Sequence, residues 1–309
     1  MKPWGHGGTD TIVRFVIFLL FIVLSNVILT AKDDPRKLFR DSIGAEKIVI
    51  INADDFGKTH AANIGVISAI EKGFVTTTTM ITPALQIKEA FDYLTAHPNV
   101  DAGVHLTLAI EKDLSPYGPV LPAGKVPSLV DENGHFFTTI AVVTRMKPSE
   151  IQEELNAQIQ KAIHAGINIT HLDCHMGFYH GDIQTLKIVL NLAKKYDLPM
   201  RLPNAGFANY LLREGIMTTD TMLPALRRKP GEGAMEVFDR LLRELKPGIT
   251  EVITHPAVSG LDEYDTVWRQ DELDMWLDPD VIKKAQNSGI RFIGYREMRD
   301  FQRKMKKKD

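Results

Sequence analysis

The sequence predicts an α/β fold, a single (β/α) barrel-like domain of the TIM type, distorted, with seven or eight strands. Three observations carry this expectation. From residue 46 onward, β-branched runs alternate with segments of helical periodicity, and no strand is followed directly by another. The length of 309 residues suits one large domain of this kind, and no linker divides it. No G-x-G-x-x-G run and no Walker A loop occurs, so the nucleotide-binding forms of the α/β class have no local support.

The elements follow in order. Residues 47–52 (KIVIIN) form a first strand, apolar enough for burial on both faces. Residues 61–72 place Ile64, Ile67 and Ile70 on helical spacing, with Gly73 as the stop. Residues 76–82 are β-branched and strand-like, and 85–96 read as a helix ended by His97-Pro98. Residues 102–108 form the third strand. Ser149 and Gln152 make a capping box that opens a helix over 150–164, closed by Gly166. Residues 168–173 are a strand, 183–196 a helix, and 200–202 a short fifth strand. A helix over 235–245 stops at Pro247-Gly248, and residues 251–254 form the next strand. Pro279 suits the first position of a helix reaching 287, and a strand at 291–293 precedes a terminal helix. The Pro- and Gly-rich residues 109–147 are long for a loop, a length that goes with function.

The remainder of the chain bounds the biology. Hydrophobic residues make up 44% and charged residues 25%, as in ordinary globular proteins. A formal net charge of −2 gives no electrostatic reason to expect a nucleic-acid partner. The single cysteine, Cys174, excludes an internal disulfide framework and reads as a small buried hydrophobe. At the N-terminus, Arg14 precedes an unbroken apolar run over 15–24, then Thr30-Ala31 and charged residues. Residues 1–31 read as a secretory signal peptide, as an uncleaved membrane anchor, or as a buried helix; the first two imply export to the periplasm or the cell exterior. Residues 303–309 (RKMKKKD) read as a frayed basic tail.

Ionisable residues collect where the expected strands end. Asp54 and Asp55 follow the first strand, and His105 lies near the end of the third. His171, Asp173 and His175 stand in "THLDCHMGFYH", Arg201 in "MRLP" and His255 in "ITHPA". In a parallel barrel these ends share the face where active sites are built. Taken singly, each has a structural explanation: a turn for the aspartate pair, a core position for His105, a strand end for His255. Their coincidence points to metal-assisted hydrolysis. Two imidazoles and a carboxylate hold a divalent metal with positions left open, and a second carboxylate serves as base. A bound cation and an arginine also explain how adjacent aspartates are tolerated. His97 and His164 sit at helix ends, where the macrodipole accounts for them. His171 reads as structural, and His60, His135 and His180 have no placement. Trp268, Trp276 and Tyr264 read either as core or as a wall on which a sugar stacks beside His255.

The stretches IVIINADDFG, Asn63 and Gly65 in the helix that follows, GFVTTTTMIT, GVHLTL, THLDCH and THPA resemble the YdjC-like (ChbG-type) carbohydrate deacetylases. The resemblance runs from about residue 47 to 293 and is most specific in NADDFG followed by HLDxH. It implies a distorted (β/α) barrel that removes an acetyl group from an N-acetylated carbohydrate with one divalent metal ion, Mg²⁺ or Zn²⁺, spanning residues 45–302. It implies Asp55, His105 and His175 as metal ligands, Asp54 as general base, His255 as general acid and Arg201 as a group orienting Asp54. Asp173 would accept a ring N–H from a ligand histidine. The chain departs from the family pattern after His175, where Met176 to Tyr179 stand in place of further histidines that shape the sugar site. Hydrolysis of another amide or a phosphoester, or sugar binding without turnover, are the alternative functions.

Overall fold

The structure is a computed structural model that describes residues 34–180, 182–202, 204–224, 228–261 and 267–307. The export segment expected at 1–31 and Tyr264 lie outside the described residues. Among the described residues no helix is long and apolar enough to cross a membrane.

Strand β1, Lys47–Phe56, organises the molecule. It is buried from Ile48 to its end, as its unbroken apolar run requires. The other strands are β2, Thr77–Met80; β3, Ala102–Leu106; β4, Leu172–Cys174; β5, Thr221–Leu223; β6, Gly248–Thr254; and β7, Arg291–Phe292. Among the described residues they form one seven-stranded parallel sheet, with the order β4-β3-β2-β1-β6-β5 and β7 added on β1. β6 pairs with β1 from Lys47 to Ala53. The opposite edge of β1 is shared: β7 takes Ile48 and Val49, and β2 takes over from Asn52. Parallel pairing requires crossovers, and helices supply them. These are α1, Pro35–Ile43; α2, His60–Glu71; α3, Ile87–Ala96; α4, Pro148–His164; α5, Ile183–Tyr196; α6, Ala208–Arg213; α7, Ala234–Glu244; α8, Val267–Leu277; α9, Pro279–Gln286; and α10, Tyr295–Lys306.

The sheet is barrel-like with an irregular seam. The strand expected at 200–202 is reduced to one parallel bridge between Leu172 and Met200. Around it, Arg201 N donates to Leu172 O (2.9 Å) and Met200 N donates to Met217 O (3.2 Å). Pro203 follows and has no N–H to extend a ladder. The fifth strand is instead β5, with Thr221 exposed and Met222 and Leu223 partly buried, three residues too few to show a pattern.

Two boundary expectations need correction. Helix α4 begins at Pro148, and its N-cap Lys147 makes no side-chain cap bond, so the Ser149–Gln152 capping box does not form. Proline at the first position preorganises the turn instead. Gly73 is not the left-handed stop of α2. A Cβ there would lie 2.7 Å from Ala69 O of α2 and 2.9 Å from Trp276 O of α8, so crowding by both backbones is what needs glycine. The frayed basic tail expected at 303–309 is helical over residues 303–306. Residues 303–306 are the last turn of α10, where Lys306 Nζ donates to Asp197 Oδ1 (2.6 Å) and Arg303 donates to Asp197 O (3.3 Å).

Alternation along β1 separates two layers. Val49, Ile51 and Ala53 join the large core beneath the helices. Ile48 and Ile50 pack with Phe39, Ile249, Tyr295 and Met298 inside the curl of the sheet. Each fully buried isoleucine there contributes about 1.5–3 kcal/mol. Continuing the same series, Asn52 and Asp54 face the interior above this apolar floor.

Candidate active site

A regular strand sends adjacent side chains to opposite faces. Asp54 and Asp55 nevertheless meet the same cleft, because β1 breaks its pleat between them. Asp55 has a left-handed φ of 70°, and the β1–β2 register shifts between Ala53 and Phe56. Aspartate is among the few residues besides glycine that visit this region readily. The kink turns the carboxylate of Asp55 back toward that of Asp54.

Asp54 is held by Arg201 in a two-pronged contact, Nη1 to Oδ2 at 2.8 Å and Nη2 to Oδ1 at 2.6 Å. Thr79 Oγ1 and Asn52 Nδ2 donate to Oδ1 at 3.2 and 3.1 Å. The guanidinium of Arg201 also meets Asp173 Oδ2 and Glu251 Oε1, both at 2.9 Å. Tyr295 donates to the other Glu251 oxygen at 2.7 Å. One buried arginine thus serves three buried carboxylates. Burial pushes the pKa of Asp173 up, but Arg201 and His105 outweigh it and hold Asp173 well below the usual carboxylate range.

Asp55 belongs to a second group. Lys58 Nζ (3.0 Å) and Arg269 Nη1 (2.7 Å) donate to its Oδ2. Burial opposes its charge, yet Lys58, Arg269 and His175 keep its carboxyl well below the ordinary value. Its Oδ1 is buried and, among the described residues, makes no close hydrogen bond. His175 Nδ1 lies 3.3 Å from that oxygen, and His105 Nε2 lies 3.7 Å from it. His105 donates from Nδ1 to Asp173 Oδ1 (2.6 Å), which leaves Nε2 as the lone-pair nitrogen facing Asp55. Donors about 2.1 Å from one tetrahedral ion stand roughly 3.4 Å apart. An ionised oxygen facing two imidazole nitrogens at these separations therefore fits a divalent metal, and Asp55, His105 and His175 form a group able to hold one.

His255 follows β6. Its main-chain N–H donates to Glu272 Oε2 (2.6 Å), and Pro256-Ala257 press against α2, where a Cβ on Gly65 would lie 2.4 Å from Pro256 O. The ring places Nε2 3.9 Å from Asp54 Oδ2 and lies edge-on to Trp268 at 5.6 Å. Trp268 therefore stands beside the site, whereas Trp276 is core, with Nε1 donating to Thr254 Oγ1 (2.8 Å). Cys174 is buried, and burial pushes its thiol up to about 12, which suits an inert packing residue. His171 is also structural: it stacks on Tyr295 at 3.9 Å, and burial pushes its pKa down to about 3.

The cleft, about 250 Å³, brings together all six residues singled out as ligands or catalytic groups. Three further residues that the sequence does not mark bear on the site: Glu111 and Arg269 line the cleft, and Lys58 lies behind it. Glu111, from the irregular segment 109–147, lies 3.1 Å from His175 Nε2. Lys58 and Arg269 pair with Asp55, and the Arg269 guanidinium lies over one face of the Trp268 ring at 4.6 Å.

These environments make the metal-free protein's stability depend on pH. Burial opposes a charge on His175, but Glu111 and Asp55 raise its pKa to about 9. Burial lowers His255 to about 4. A raised histidine stabilises fully below its unfolded pKa of about 6.5, and the contribution is lost as pH climbs through the folded value. The depressed rings of His255 and His171 act oppositely, adding stability as pH rises toward about 6.5. Urea unfolding of chelator-treated protein at about pH 5, 6.5 and 9 is expected to peak at the middle value. Stability that still rises up to the highest pH would contradict a charged His175.

The profile of the YdjC-like protein family matches residues 48–287. A carbohydrate deacetylase of Enterococcus faecalis is 33% identical over 219 residues, 69% of this chain and 82% of that protein. One from Geobacillus stearothermophilus is 29% identical over 256 residues, 80% of this chain and 96% of that protein. Among solved structures, an Enterococcus faecalis protein provisionally described as a cellobiose-phosphate cleavage protein aligns with a TM-score of 0.72 and 29% identity. It covers 82% of this chain and 99% of its own. On these matches, the chain belongs to the YdjC-like family of carbohydrate deacetylases.

Proposed function

We propose that the protein hydrolyses the acetamide of an N-acetylated carbohydrate, an amino-sugar oligosaccharide, using one divalent metal ion. Asp55, His105 and His175 would hold the ion. Two imidazoles favour Zn²⁺ over Mg²⁺ on ligand grounds. When bound, the ion supplies Lewis acidity that acidifies water and polarises the acetyl carbonyl oxygen.

The chain's own residues do the rest. Asp54 takes a proton from the attacking water through Oδ2, and Arg201 fixes the carboxylate for that task. His255 delivers a proton to the departing nitrogen. It begins neutral, because burial holds its pKa at about 4, so it must gain its proton during turnover. Asp54 Oδ2, 3.9 Å from Nε2, is a neighbouring source once it has taken the water's proton. Trp268 offers an aromatic surface beside His255 for a sugar face. Export of the protein rests on residues 1–31 alone, and amino-terminal sequencing of the mature chain distinguishes a cleaved signal from a retained anchor.

The observation that carries this reading is the break in β1 that turns two adjacent aspartates into one cleft, each with a different set of partners. The test is acetate release from N-acetylglucosamine oligomers by metal-stripped protein, before and after refilling with Zn²⁺, Mg²⁺ or Mn²⁺. Release is expected only after refilling. Equal release by stripped and refilled protein would remove the metal from the reaction.

A further inference from the structure

Glu111 stands in a different position from the other groups of the site. One of its carboxylate oxygens faces His175 Nε2 at 3.1 Å, and the other accepts from Lys58 Nζ. Lys58 in turn donates to Asp55 Oδ2 at 3.0 Å. The pair therefore links His175 to Asp55 on the side away from the atoms that face each other. Lys58 is buried, whereas the Glu111 side chain is 21% exposed at the rim.

His175 has particular need of such a partner. His105 lies in β3 and is locked by Asp173. His175 lies beyond the end of β4, in a short turn whose next residue, Met176, has φ 54°. No strand pairing fixes its ring. An imidazole can ligate through either nitrogen, and the hydrogen bond made by the other nitrogen decides which.

The segment that carries Glu111 is itself fastened. Helix α4 presents Glu150, Glu154 and Gln158 at four-residue intervals, one face of a helix. Gln158 accepts from Thr107 N (2.9 Å) and donates to Thr107 O (2.7 Å). Glu154 accepts from Val120 N (2.8 Å) and Leu121 N (3.0 Å), and Glu150 from Ser128 N (2.7 Å). Glu111 thus springs from chain held on both sides, at Thr107 and at Val120.

We propose that Glu111 is the positioning residue of His175: it accepts a hydrogen bond from Nε2–H, which keeps the proton there, and so presents Nδ1 beside Asp55 Oδ1. The inference rests on the metal-site reading above. Its test compares wild type, Glu111→Gln and Glu111→Ala as full chains. Zn²⁺ affinity is measured by chelator competition, and the visible spectrum is recorded with Co²⁺ in place of Zn²⁺. The alanine variant is expected to bind Zn²⁺ about 10–100-fold more weakly and to shift the Co²⁺ bands. Glutamine keeps an acceptor oxygen without the charge and should restore part of the loss. Glu150→Gln, which loosens the same segment without touching His175, should leave the Co²⁺ bands in place. Unchanged affinity and spectra in both Glu111 variants, with wild type binding one equivalent, would overturn the role of Glu111 and leave the metal site standing. A wild-type chain that binds no metal would overturn both.

Discussion

Asp54→Asn is expected to lower acetate release by about 10²–10⁴-fold, the usual worth of a positioned general base, with one equivalent of metal still bound. The substitution keeps the size of the side chain and removes its capacity to hold a proton. The three groups assigned to the metal do not depend on Asp54. Asp55 is oriented by Lys58 and Arg269, His105 by Asp173 and His175 by Glu111. Asparagine can accept only one of the two Arg201 bonds through its carbonyl oxygen, and losing a hydrogen bond to a charged group costs about 1.5–3 kcal/mol of stability. Turnover and elemental metal content, measured on the same preparation, decide the matter. Loss of metal in step with activity would mean that the two aspartates have exchanged roles. His175→Ala supplies the contrast, since it should empty the site.

Arg201→Met is expected to have the largest effect on stability, about 3–5 kcal/mol, the cost of stranding buried charge. The reason is the sharing seen around its guanidinium. Asp54, Asp173 and Glu251 all lose their cation together, and none has solvent to turn to. A chain of this size loses about 2–4 °C in Tm per kcal/mol, so a thermal melt reads the effect directly. Lysine should not rescue it, because a point charge cannot serve several carboxylates that a planar fork reaches at once. The deficit should shrink in acid, as the stranded carboxylates take up protons. A methionine variant as stable as wild type at neutral pH would show that the carboxylates are satisfied without the arginine.

Much of this site could be read from the chain, and the rest was hidden for definite physical reasons. Asp54, His105, His175 and His255 end apolar strands, where a polar residue is conspicuous. Arg201 was visible despite the failure of its strand. Glu111 was not: AIEKD reads as an ordinary charged loop, and nothing local says that residues 107 and 120 are both tied to α4. Arg269 was concealed because VWRQDELDMWL distributes charge around α8, so no apolar stripe announces a helix. Lys58 follows a turn and looks solvated, yet it is buried. Strand β5 leaves no mark in the sequence and residues 200–202 look more strand-like than they are, because three-residue strands carry too little pattern to outweigh their neighbours. The adjacency of Asp54 and Asp55 was plain in the sequence, but their shared direction depends on one backbone angle.

The contact between Gly65 and Pro256-Ala257 bears on how loss of activity in this protein should be interpreted. Gly65 touches no reacting atom, yet any side chain there must push away the backbone that carries His255. A mutagenesis survey scored by turnover alone would therefore rank position 65 beside the residues proposed to move protons. The two kinds of residue separate only when inactive variants are sorted by whether they still bind metal and still fold, because a displaced backbone and a missing proton carrier leave the same silence in an activity assay.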